Sequence, residues 1–273
     1  MTADITLGQY LPGKSVVHRL DPRTKILLML FYIVMIFLIT DRGIRGLMLF
    51  AIPAALLAFM FLMARVPASY LISSLKPVRW LLVFMFVINV FFTKGETVLF
   101  GFWKIVITKE ALLQALFITL RLVLLIAGAS MLTLTTSPIA LTDGLEKLLS
   151  PLKRIHFPAH ELAMMMTIAL RFIPTLLEET DRIRKAQTAR GADFETGGLI
   201  ERAKSMIPIL VPLFVSAFRR ADELAMAMES RCYHGGEGRT RMRELRYTRR
   251  DLAAFVLFLF VTALLIVLQA IPF

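Results

Sequence analysis

Gly8, Gly13, Lys14 and Ser15 fall in the order G-x-x-x-x-G-K-[ST] within "GQYLPGKS". In nucleotide-binding domains that spacing wraps a loop around a phosphate chain, with the lysine on its terminal phosphates. The loop works only between a buried strand and a helix. Here only seven residues precede Gly8, Pro12 removes one backbone donor, and Pro22 stops any helix running on from Ser15. No α/β alternation follows. ATP chemistry is therefore not expected of this chain. The stretch is read as a lead-in to the first apolar run, with Arg23 and Lys25 anchoring at lipid headgroups.

Other reactive side chains are sparse. The four histidines are His18, His156, His160 and His234. His156 and His160 have helical ligand spacing, but Pro158 lies between them, so no metal site is expected. Cys232 is the single cysteine and forbids an internal disulfide. No Ser-His-Asp set and no pair of catalytic carboxylates stands out. The chain is expected to be no enzyme and to bind no cofactor.

Two arginines stand out by position instead. Arg190 closes one long helical pattern in "QTARGADF", and Arg231 closes another in "MESRCYHGG". A cation near a helix C-terminus is favoured by the helix dipole. That preference does not demand small residues on both sides, which Ala189 and Gly191, and Ser230 and Cys232, supply here. A guanidinium is a rigid fork of donors suited to carboxylates and carbonyls in a partner groove.

The elements that carry these tips follow from composition. The chain is 57% hydrophobic with a mean hydropathy of +0.70, above the roughly 45–50% apolar content of a soluble domain. The excess lies in runs. Five spans are read at 25–40, 45–63, 79–93, 111–135 and 252–271. The third, about 22 Å long as a helix, is short for a crossing and is expected to run longer or to sit in thinned bilayer. The first apolar run begins only near Lys25, so a cleaved signal peptide is not expected. The net charge of +12 fits a cytosolic face beside anionic lipid, and nucleic acid is not an expected partner. With the N-terminus inside, 26 of the 32 Lys and Arg residues lie on the inner side and five outside, the remaining one being Arg121. The short loops alone favour this orientation only weakly, seven against five, and the cluster Arg241, Arg243, Arg246, Arg249 and Arg250 before the last span makes it firm.

The reading is thus an all-α polytopic membrane protein with about five transmembrane helices and a helical cytosolic module. Residues 1–135 hold the N-terminal segment and four spans, 136–250 the module, and 251–273 the last span. The module carries 19 basic and 14 acidic residues, too polar to span. Its helices are read at 138–150, 159–190 and 199–232. A kink is expected at Pro174 and bends at Pro208 and Pro212. Gly191 is expected in the left-handed cap position after the second helix, and Gly235 and Gly236 in the exit loop of the third. The i,i+4 pairs Glu178–Arg182 and Asp181–Lys185 are expected to support the second helix.

At these phrases the chain resembles a family, the transmembrane T component of energy-coupling factor transporters, ATP-driven importers of vitamins and transition-metal ions. The resemblance rests on "SVVHRLDPRTK" at 15–25, "ARG" at 189–191, "RADELAMAMESRCY" at 220–233 and "GRT" at 238–240. It implies a non-catalytic scaffold in the cell membrane whose two long cytosolic helices cross and end in Ala-Arg-Gly-like motifs. Each motif docks on one of two ATPase subunits, which use ATP and Mg; the helices carry their motion to a substrate-binding membrane subunit. It assigns ATPase binding to Ala189, Arg190 and Gly191, and to Ser230, Arg231 and Cys232. The second triplet departs from the pattern after its arginine.

Arg121 lies about 15 Å into the fourth span, with no acid in the other spans to pair with it. Backbone carbonyls, snorkelling or another subunit could each satisfy it, and a functional role is one reading. Met164, Met165, Met166, Met206, Met226 and Met228 read either as a core between helices or as an adaptable partner surface. The rival functions are a self-contained secondary transporter, which would want a midplane acid or broken spans, and a membrane enzyme acting on lipid phosphates.

Overall fold

The computed structural model describes residues 10–95, 97–102, 105–155, 157–194, 196–235 and 244–271. Gly8, His156 and residues 236–243, which include Gly236, the "GRT" phrase, Arg241 and Arg243, lie outside them. The chain divides into two compact units, one of Met1–Leu145 with Leu245–Phe273 and one of Glu146–Glu244.

In the first unit α1 spans Pro22–Leu38. Proline fits its first turn, where no N–H is needed, and the Asp21 side chain accepts from the Arg23 amide. Then come α2 (Ile44–Leu49), α3 (Ala51–Ala64) and α4 (Ala68–Leu75). A single 3-10 turn at Lys76–Val78, which holds Pro77, joins α4 to α5 (Arg79–Phe92). The third span therefore starts earlier than expected, and Lys76 and Arg79 sit within it rather than in a loop. Strands β1 (Val98–Phe102) and β2 (Ile105–Thr108) form an antiparallel hairpin that the apolar runs did not announce. After it, α6 (Lys109–Thr135) runs about 40 Å, capped by the Thr108 side chain. α7 spans Pro138–Leu149 and α11 spans Arg249–Ala270. The core packs α1 against α6, α11 and α3. Met35, Ile36 and Ile39 of the α1 end are wholly buried, and Phe50 meets Phe117 at 4.9 Å between ring centroids.

In the second unit a 3-10 turn (Ser150–Ile155) precedes α8 (Ala159–Ala189). α8 continues through Pro174 without a break. The third module helix is divided: α9 (Leu199–Ser205) stops at Met206, and α10 (Ile207–Glu229) begins with Pro208 in its first turn. Neither expected i,i+4 pair is among the ion pairs of the described residues. Asp181 instead meets Arg184 at 3.3 Å, and Glu179 meets Arg220 of α10 at 2.7 Å.

Five stretches of described helix are long and apolar enough to cross a membrane: Ile44–Ala64, Ala68–Phe92, Lys109–Thr135, Ala159–Ala189 and Arg249–Ala270. The number five was expected, but the membership differs. α1, with 17 residues, covers only about 25 Å. α8 qualifies as the least apolar of the five, because its first half is nearly free of charge and its charges gather after Leu177.

Candidate functional site

The two arginine-tipped ends close in the same way. At the end of α8 the Gly191 amide donates to the Thr188 carbonyl at 3.0 Å, and the Ala192 amide reaches back to the Gln187 carbonyl at 3.0 Å. At the end of α10 the Cys232 amide donates to the Glu229 carbonyl at 2.8 Å, and the Tyr233 amide to the Met228 carbonyl at 3.1 Å. Both are Schellman closures, which satisfy the orphan carbonyls of a helix end through one left-handed residue. That residue is Gly191 (φ +88°) in one and Cys232 (φ +55°) in the other. Arg190 and Arg231 each stand immediately before it, and both are exposed, as are Ala189, Ser230 and Cys232.

α8 and α10 pack against each other antiparallel. The Gln187 amide side chain, near the end of α8, donates to the Pro208 carbonyl at the start of α10 at 3.4 Å. The Glu179–Arg220 pair lies midway. Met164 and Ile168, near the start of α8, face Leu224 and Met228 across a cleft of about 490 Å³ that Arg231 and Cys232 also line. Arg190 and Arg231 are thus placed at opposite ends of the pair, on the order of 40 Å apart. Met165, Met166, Met206 and Met226 are exposed rather than packed as a core between the helices.

The first unit holds a polar network that sequence reasoning did not assemble. Arg23 and Lys25 were expected at headgroups, but both turn inward. Arg23 forks onto Asp21 at 2.9 and 3.0 Å, donates to the Leu245 carbonyl and lies 4.1 Å over the Tyr247 ring. Lys25 is 7% exposed and donates to the carbonyls of Thr135 and His18. Asp251 is 1% exposed; it accepts from the Thr248 amide and hydroxyl and from the Asp21 amide at 2.9 Å. The only sequence signal for Asp251 is the Thr248-x-x-Asp251 capping pattern.

Arg121 meets one carbonyl and two rings, while its Nε is buried without a hydrogen-bond partner among the described residues. Its guanidinium donates to the Ile39 carbonyl at the end of α1 and lies over the Phe117 and Phe37 rings at 4.6 and 5.3 Å. Arg45 does the same for α11, donating to the carbonyls of Leu268, Gln269 and Ile271. With Lys25 on Thr135, three cations each cap the C-terminal end of a neighbouring helix, where the dipole favours positive charge. No group of three or more His, Cys, Asp or Glu residues able to hold a metal lies among the described residues. His160 contacts Glu146 at 3.1 Å.

A family model described as "Cobalt transport protein", CbiQ, matches residues 13–242. The chain is 56% identical over 253 residues to the "Energy-coupling factor transporter transmembrane protein EcfT" of Thermosediminibacter oceani, covering 93% of each. It is 55% identical over 268 residues to the protein of that name in Acidaminococcus fermentans, covering 95% of this chain and 97% of that one. Against the Bacillus subtilis protein of that name it is 48% identical over 273 residues, covering 99% and 100%. A largely helical chain matched at this level along almost its whole length leaves one assignment: it belongs to the CbiQ family of cobalt transport proteins and, within it, to the energy-coupling factor transporter transmembrane proteins named EcfT.

Proposed function

We propose that this chain, a non-catalytic transmembrane component of an energy-coupling factor transporter, links two ATPase subunits to a substrate-binding membrane subunit in the cell membrane. The observation that carries the reading is the matched pair of helix ends, each presenting an exposed arginine before a left-handed residue, at opposite ends of one antiparallel helix pair. Arg190 docks one ATPase and Arg231 the other. Small neighbours let each tip enter a groove, where the guanidinium meets carboxylates or carbonyls. ATP and Mg belong to the ATPases. When ATP draws them together, the two tips are displaced, and packed helices transmit displacement because close-packed interiors do not compress. The unit of residues 146–244 is on this reading cytosolic, despite the apolar first half of α8. The cargo is a vitamin or a transition-metal ion, recognised by the separate substrate subunit.

The test is co-purification. Arg190→Glu with Arg231→Glu is expected to insert normally and to lose both ATPases. A double variant that still captures both and supports transport overturns the assignment.

A further inference from the structure

The coupling role leaves the first motif of the chain unused, yet its described residues form one wall of a cavity. Leu11–Val16 face the end of α3 and the turn into α4 across a cleft of about 600 Å³, whose other wall includes Leu62, Met63, Arg65 and Tyr70. Lys14 and Arg65 bring two cations to this lining, which contains no acid. Neither side chain forms an ion pair or hydrogen bond among the described residues. The amides of Gly13, Lys14 and Ser15 likewise donate to no group of the chain among those residues. Two free cations beside three free amides are the donor set a phosphate group takes.

The cleft is shaped by specific packing. His18 Nε2 lies 3.0 Å from the Leu11 carbonyl, and Nδ1 lies 2.7 Å from Ser15 Oγ. The carbonyl can only accept, so Nε2 carries the proton and Nδ1 accepts from the Ser15 hydroxyl. The ring lies against Gly13, where a Cβ would come within 2.6–2.8 Å of it. His18 therefore clamps the loop that carries Lys14. On the facing wall Arg65 ends α3 with φ +56°, a position where glycine is easiest. Leu62 and Met63 are exposed and continue that wall along α3, a stretch apolar enough to lie in a membrane.

We infer that this cleft binds an anionic phospholipid, its phosphate held by Lys14, Arg65 and the loop amides and its acyl chains lying along Leu62 and Met63. The binding site belongs to the membrane unit alone and stands independently of how Arg190 and Arg231 dock. Free phosphate shares the polar half of this recognition but not the apolar half.

The test is native mass spectrometry of the full chain in detergent with added phosphatidylglycerol or phosphatidylcholine. The wild type is expected to retain phosphatidylglycerol in preference to phosphatidylcholine, and Lys14→Gln with Arg65→Gln to lose that retention by about tenfold. A control that removes two charges at the far ends of α1 and α5, Arg42→Gln with Lys94→Gln, is expected to bind as the wild type does. Equal retention by the Lys14/Arg65 variant and the wild type overturns the site, as does equal loss in the control. Displacement of the lipid by inorganic phosphate alone assigns the cleft to free phosphate and overturns the lipid.

Discussion

Gly191 and Cys232 adopt the same left-handed backbone, φ +88° and +55°, each one residue past the arginine that ends its helix. The departure of the second triplet from an Ala-Arg-Gly pattern is thus one of side chain and not of backbone. A residue with a Cβ pays about 1 kcal/mol or more in this region relative to glycine.

That difference sets opposite outcomes for two substitutions. Nothing lies within 4 Å of a Cβ built on Gly191, so Gly191→Ala meets no clash and its whole cost is conformational. It is expected to destabilise the second unit by about 1 kcal/mol. Cys232→Gly is expected to stabilise it by up to a similar amount, partly offset by the greater freedom of unfolded glycine. Thermal unfolding followed by protease susceptibility near residues 190 and 232 measures both. Equal shifts in the same direction would contradict the shared backbone role.

Asp251 gathers three donors in a buried place, and two of them belong to its own helix cap. Asp251→Ala leaves the Asp21 amide and the Thr248 groups without their acceptor. The expected loss is about 3 kcal/mol, read as a lower thermal midpoint of the purified protein. Asp251→Asn keeps one acceptor oxygen and is expected to lose less.

Arg121 holds the end of α1 through the Ile39 carbonyl. Arg121→Ala removes a charged hydrogen bond and two ring contacts, for an expected cost of about 2 kcal/mol. Complex yield is expected to fall with thermal stability, while the protein that survives still binds both ATPases. Loss of ATPase binding with unchanged stability would instead give Arg121 a direct functional role.

His18 makes the fold sensitive to acid. Burial pulls its pKa below the ordinary 6.5; the hydrogen bond to the Leu11 carbonyl works the other way, and the nearby Lys25 charge adds to the lowering. The native state holds the neutral ring, so the unfolded chain takes the proton first as pH falls. This contribution is complete above pH 6.5 and is lost as pH drops through the lower native value. Thermal midpoints measured from neutral pH downward are expected to decline, and less steeply in His18→Gln. A midpoint that rises on acidification contradicts this assignment.

Much of this was legible in the residues themselves. Long apolar runs announced four of the five membrane-length helices, α8 reading instead as part of the polar module, and the placement of Arg190 and Arg231 at helix ends followed from periodicity and from Gly191. What stayed hidden depended on distant partners. Asp251 meets Asp21 across 230 residues of sequence, and Arg121 donates to a carbonyl, which every residue carries and no pattern marks. Arg23 and Lys25 read as headgroup anchors because charge at a span end usually faces water; tertiary bonds to Asp21 and Thr135 turned them inward. The β1–β2 hairpin was concealed inside an apolar stretch whose composition suits strand and helix alike.

The central claim concerns what the helix tips touch, and Cys232, the single cysteine of the chain, reports on it directly. It is exposed beside Arg231. A short thiol-linked photo-cross-linker on Cys232, activated in the assembled transporter in native membranes, is expected to capture an ATPase subunit, and Arg231→Glu is expected to abolish that product. Capture of lipid or of the substrate-binding subunit in place of an ATPase would contradict the account.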